Sequence, residues 1–352
     1  MRRGTAVLLA IVVAFGLLWR PLLYPGGKAA LLLLDVYSPS LAGSDLAERV
    51  TPPVRVSETR ETFDGTAMRV SWWRPGWGDS HPAIMIVNGA TPVGNDNEAT
   101  REFGATLARA GYLVMLPQFP FLVEGRLDAG APAVIDAAFA HLRSLPETRG
   151  HPVGIFGASV GAGLALVAAS RGAAAHADEI VVLGSYFDVE TYVAAVASHE
   201  QRIGGSLEPW QPSDEVKTRL PPAVAAAMPD EADRAVVSAA FASDSYDGAL
   251  ARLEALSPKG RAVLDALSPS TVWPRVGPPV FWIHDPNDTY EPPAEAYAAE
   301  AAPRDGRFEL VVPRLVQHAE VGTATQGRSA LGLAGELWRL LRFTLDVLRI
   351  AG

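Results

Sequence analysis

The segment Gly157-Ala158-Ser159-Val160-Gly161 sets a serine between two glycines, directly after the apolar run Val153 to Phe156 and directly before a small-residue stretch, Gly161 to Ser170, of helical pattern. A strand-to-helix turn that sharp leaves no room for bulky neighbours. Gly157 and Gly161, with small Ala158 and Ala162, let the serine project at a helix N-terminus, where backbone N–H groups favour negative charge. This pattern is suited to nucleophilic catalysis. A serine hydroxyl is a weak nucleophile near neutral pH and needs a positioned base, in turn oriented by a carboxylate. Of seven histidines, His318 lies near the end of the chain after a predicted strand, Phe308 to Val312, where the order Ser, acid, His places a base. His81 and His151 precede strands, His141 lies within a predicted helix, and His176 and His199 read as surface residues. His284 ends a strand and is the rival base, but it precedes the candidate acids. Those acids are Asp285 and Asp288, in the loop that follows the apolar run Val280 to Ile283.

The elements needed to position these residues are legible. A length of 352 residues allows one large α/β domain or two modest ones. From Pro52 onward short β-rich runs alternate with helical patterns, which predicts a mostly parallel sheet covered by helices. Val54 to Phe63 and Ala67 to Trp73 flank Asp64-Gly65, a hairpin signal, so the sheet should begin with an antiparallel pair. Ala83 to Val87, Tyr112 to Leu116 and Ile180 to Leu183 read as buried strands, with helices over Asn97 to Ala110 and Val134 to Leu145. Residues 190 to 275 break the rhythm, with helical stretches such as Ala232 to Ala242 and no clear strand, and read as an insertion. A helix from about Ala294 to Ala302 follows, and the pattern from Ser329 to Ile350 predicts a closing helix packed on the core.

With these motifs in this order, residues 52 to 350 resemble the α/β-hydrolase family, nearest to its dienelactone-hydrolase-like and esterase branches. The resemblance implies a mostly parallel sheet with helices on both faces and a helical lid formed by the insertion at about 190 to 275. Asp288 matches the family's acid, whereas Asp285 stands where the family usually has glycine. The triad would then be Ser159, Asp288 and His318, with Asp285 the alternative acid. The oxyanion hole would be made of backbone N–H groups, from Val160 and from Gly89 or Ala90 in Asn88-Gly89-Ala90-Thr91-Pro92. Here asparagine replaces the histidine of the family's His-Gly loop. A serine nucleophile implies acyl chemistry on esters, thioesters or amides rather than dehalogenation. Trp210, Trp273, Phe119, Phe121 and Tyr186 are candidates for an acyl pocket, although core or lid packing is the stronger reading for any one of them, since pockets and cores share a composition.

Composition narrows the alternatives. Thirty Lys and Arg against 39 Asp and Glu give a net charge of −9, which argues against nucleic acid as a partner. With no cysteine there is no disulfide and no zinc-thiolate site, and neither H-E-x-x-H nor a phosphate-binding glycine loop occurs, so neither metal nor cofactor is expected. Arg2 and Arg3 precede an apolar run from Thr5 to Trp19; extended to Tyr24 it approaches the roughly 30 Å of a bilayer core. Residues 1–25 therefore read as a membrane anchor or a signal segment, 26–51 as a connector and 52–352 as the hydrolase domain. That domain would lie outside the cytoplasm, anchored or exported. The expected activity is cleavage of a carboxylic ester through an acyl-enzyme, on a small-molecule ester or acyl substrate. The alternatives are an acyltransferase or thioesterase on lipid-linked substrates, and a non-catalytic hydrolase-fold protein that binds at the membrane.

Overall fold

A computed structural model of the chain describes residues 28, 32, 51–314, 316, 317, 320, 321 and 330–350. The anchor or signal segment, nearly all of the connector, and His318 lie outside the described residues. Among the described residues no helix is long and apolar enough to cross a membrane.

Eight strands form the central sheet: β1 (Arg55–Phe63), β2 (Thr66–Arg74), β3 (Ala83–Val87), β4 (Leu113–Pro117), β5 (Val153–Ala158), β6 (Ile180–Leu183), β9 (Val280–Ile283) and β10 (Phe308–Val311). Their spatial order is β1-β2-β4-β3-β5-β6-β9-β10. From β4 to β10 every pairing is parallel, and the hairpin β1–β2 joins antiparallel at one edge. The hairpin turns at Asp64 and Gly65, both with positive φ (45° and 75°), the geometry for which an Asp-Gly pair is suited. β3 and β4 are buried along their whole length, as strands covered on both faces must be.

Helices cover the sheet. α1 (Glu98–Arg109) is capped by Asn97, whose side chain accepts the Thr100 amide at 3.0 Å. α2 (Pro120–Val123), α3 (Ala131–Ser144) and α4 (Ser159–Ala168) follow, and α4 is buried almost throughout, which its Ala- and Gly-rich sequence permits. Gly163 on α4 faces Tyr186 so closely that a Cβ there would lie 2.6 Å from the ring.

The insertion after β6 is helical, as expected: α5 (Val189–Ser198), α6 (Asp214–Ala227), α7 (Glu231–Phe241), α8 (Tyr246–Leu253), α9 (Pro258–Leu267) and α10 (Pro269–Val272). It also holds a two-stranded ribbon, β7 (Glu200–Ile203) paired with β8 (Ser206–Pro209), where no strand was expected. The ribbon turns at Gly204-Gly205, both with positive φ, and its strands carry too little apolar alternation to announce themselves. α11 (Ala294–Ala301) precedes β10. The last helix, α12 (Ala330–Ile350), buries Leu340, Phe343 and Leu348 against the core and leaves Trp338 exposed.

Candidate active site

The sheet register brings the site together. Val87, the last residue of β3, pairs with Gly157 on β5, so the loop beginning at Asn88 and the turn carrying Ser159 leave adjacent strands at the same level. Ala158 pairs with Leu183, and Leu183 with Ile283, so the loop after β9 emerges at that same end. Ligand sites in open parallel sheets lie beyond the C-terminal ends of the strands, and all three loops converge there.

Ser159 occupies the first position of α4 with φ of 51°, a left-handed conformation that is uncommon and costly for serine. The helix thus begins at the serine, two residues earlier than the expected start at Gly161. Both flanking glycines are required sterically. A Cβ on Gly161 would fall 2.0 Å from the Asn88 carbonyl oxygen, and one on Gly157 would fall 2.5 Å from the Ala162 Cα. A Cβ on Gly89 would lie 3.1 Å from the Ser159 Cβ, so the loop after β3 closes directly on the serine. Within that loop the Gly89 N–H donates to Asn88 Oδ1 at 3.0 Å, and Asn88 Nδ2 donates to the Gly94 carbonyl at 3.4 Å. Asn88 therefore braces its own loop. Val160 follows Ser159 in the first turn of α4, and Ala90 follows Gly89.

The loop after β9 buries His284, Asp285, Asp288 and Glu291 and is tied from several sides. Asp288 Oδ1 accepts the amides of Tyr290 at 2.7 Å and Glu291 at 3.1 Å. Asp285 Oδ1 accepts the Asn287 amide at 2.9 Å. Trp210 in the insertion donates its indole N–H to the Asp288 carbonyl at 2.7 Å, Tyr192 on α5 donates its hydroxyl to the Tyr290 carbonyl at 2.6 Å, and the Ser213 amide donates to the Thr289 carbonyl at 2.7 Å. The insertion thus holds the loop after β9 in place. Trp210, Trp273, Phe119, Phe121 and Tyr186 are all buried within the protein core, where Tyr186 donates its hydroxyl to the Leu267 carbonyl at 2.9 Å.

His284 is fully buried. Its Nδ1 accepts the Trp282 indole N–H at 3.3 Å and its Nε2 faces the Glu291 carbonyl at 3.0 Å. Since an indole N–H only donates and a carbonyl only accepts, the ring proton is assigned to Nε2. Both ring nitrogens are thereby committed to holding the loop, and the Asp288 carboxylate lies 3.8 Å from Nε2. Sequence reasoning offered His284 as a rival base; in the structure it is a brace.

Glu291 was absent from that reasoning. Its carboxyl is 1% exposed, and its Oε1 accepts the Ser159 hydroxyl at 2.7 Å. The only signal in the sequence is the following Pro292-Pro293, which biases Glu291 away from helical backbone. Close by, burial raises the phenol pKa values of Tyr186 and Tyr192 above the usual range, with the negative charge of Glu291 adding to the effect. Among the described residues no group of three or more His, Asp or Glu side chains is placed to hold a metal ion.

No family model matches the chain, and no curated protein matches it in sequence. Solved structures do match it in fold. The chain is similar to 2,6-dihydroxy-pseudo-oxynicotine hydrolase, at 17% identity and a TM-score of 0.50 over 84% of this chain and 68% of that one. It is similar to Pyrococcus horikoshii acylaminoacyl peptidase, at 13% identity and a TM-score of 0.54 over 86% of this chain and 42% of that one. Porphyromonas gingivalis dipeptidyl peptidase 4 gives 13% identity and a TM-score of 0.50 over 86% and 38%. The chain spans less than half the length of these two peptidases. The sheet order, the covering helices and these likenesses define the α/β-hydrolase fold.

Proposed function

We propose that the protein is a serine hydrolase that cleaves carboxylic esters through an acyl-enzyme. The observation that carries this reading is the backbone of Ser159, held at φ of 51° on the turn between β5 and α4 with Gly89 packed against it. Strain of this kind persists where it serves a site, and it presents the hydroxyl beyond the strand ends rather than folding it into the helix. Ser159 attacks the acyl carbon; His318 carries protons between the attacking and leaving oxygens, oriented by Asp288; water then resolves the acyl-enzyme. The developing oxyanion is taken by the Val160 amide and by the loop from Gly89 to Ala90. Because the Gly89 N–H is engaged by Asn88, Ala90 is the loop's readier donor. The N-terminal segment anchors or exports the domain, which works outside the cytoplasm.

Two similar folds are named as peptidases, which makes amides the second substrate class to test. The experiment is turnover of p-nitrophenyl acetate and butyrate beside an aminoacyl p-nitroanilide. The reading predicts ester turnover with an initial burst of p-nitrophenol, lost in Ser159→Ala. Anilide turnover without ester turnover would replace the ester assignment, and turnover unchanged in Ser159→Ala would remove the nucleophile.

A further inference from the structure

The described part of the chain holds three buried glutamates, and they are used differently. Glu295 is a structural group: its Oε2 accepts the amides of Phe187 and Asp188, both at 2.8 Å, and its Oε1 accepts the Thr191 hydroxyl at 2.7 Å, which fastens α11 to the start of α5. Glu179 packs under β5, where a Cβ on Gly154 would meet its carboxyl at 2.8 Å. Glu291 alone of the three accepts the hydroxyl of Ser159.

We propose that Glu291 is a catalytic residue that takes the proton of Ser159 in the first step of acyl transfer. This rests on Ser159 being the nucleophile, and refines the triad by moving the proton transfers of acylation from His318 to Glu291, leaving those of deacylation to His318. A separation of 2.7 Å is that of a well-formed O–H···O hydrogen bond, and the contact already lies along the path the proton would follow. The carboxyl is preorganised: the Glu291 amide is held by Asp288 and its carbonyl by His284, so both sides of the residue's backbone are fixed.

Charge balance points the same way. A carboxylate that stayed ionised beside Ser159 would face the developing oxyanion as a like charge. One that takes the proton is neutral when the oxyanion appears. As the Oγ–acyl bond forms, the hydroxyl proton moves to Oε1 and the carbonyl π pair moves to oxygen. The carbonyl then re-forms as the ester C–O bond breaks, and Glu291 returns the proton to the departing alkoxide. In hydrolysis of the acyl-enzyme, water gives its proton through His318 to Oγ as the acyl–Oγ bond breaks. The sum is one ester and one water to one acid and one alcohol.

The test is the rate of labelling by a fluorophosphonate. Its fluoride leaves without a proton, so the reagent reports the first transfer alone. Wild type, Glu291→Gln, Glu291→Asp and Ser159→Ala are compared, each checked for a cooperative thermal transition. The expected result is a fall of about 100-fold or more in Glu291→Gln, the usual worth of a general base, with Glu291→Asp in between. Glu291→Gln labelling within about threefold of wild type would overturn the proposal, as would equal losses in the Gln and Asp variants, because shape rather than the acceptor would then matter. Should Glu291→Gln not fold, Glu291→Asp decides, and its labelling at the wild-type rate despite the shorter reach would overturn the role. A wild type that does not label, or Ser159→Ala labelling as wild type does, would instead dismiss Ser159 and the dependent role of Glu291 together.

Discussion

The amide of Glu291 donates to Asp288 Oδ1 at 3.1 Å, so the proposed acid and the carboxyl that meets the nucleophile are parts of one turn. Asp288 also accepts the Tyr290 amide, whereas the Oδ1 of Asp285 accepts the amide of Asn287, two residues further on. An asparagine keeps an oxygen acceptor at either position but loses the charge. We therefore expect Asp288→Asn to lower kcat/KM by about 100-fold or more and Asp285→Asn to lower it by no more than a few fold. Steady-state ester kinetics check this, and the reverse order would move the acid to Asp285.

The turn around Ser159 predicts a sharp contrast between glycines. Ala at Gly161 would drive its Cβ to 2.0 Å from the Asn88 carbonyl oxygen and 2.8 Å from that of Val87, and both are backbone atoms that cannot swing aside. Gly204, in the ribbon of the insertion, has φ of 56° and open space for 4 Å around the position a Cβ would take, and asparagine tolerates that conformation. Gly161→Ala should cost on the order of 3 kcal/mol or more, and Gly204→Asn about 1 kcal/mol or less. Urea midpoints measure both.

The sequence made much of this architecture readable. Ala83 to Val87, Ile180 to Leu183 and Val280 to Ile283 are strands with the expected bounds because each is an unbroken apolar run that only a doubly covered strand buries. Ser159 and its glycines were legible because close packing leaves few alternatives there. The β7–β8 ribbon was not, since Glu200, Arg202 and Glu208 give it no apolar face to detect. Glu291 escaped for another reason. Its place beside Ser159 depends on how Asp288 and His284 fold one irregular loop across 132 residues of separation, and no local pattern encodes that path.

Glu179 predicts how stability depends on pH. Burial raises its carboxyl pKa to about 8, with Asp178 reinforcing the shift and Lys28 opposing it. The folded protein thus holds a proton on Glu179 that an unfolded chain releases near the ordinary carboxylate value. Its contribution is fully present below about pH 4.5, falls as pH rises, and is lost above about pH 8. Glutamine cannot ionise, so Glu179→Gln should raise Tm relative to wild type at pH 9 by more than at pH 5. Equal shifts at both pH values, measured by thermal melting, would contradict a protonated Glu179.

The most direct measurement of the central claim is covalent labelling of the whole chain by a fluorophosphonate, followed by mapping of the modified peptide. The account predicts one phosphonyl group, on Ser159, with no labelling in Ser159→Ala and parallel loss of ester turnover. A folded wild-type protein that takes up no label and hydrolyses no short p-nitrophenyl ester would contradict it.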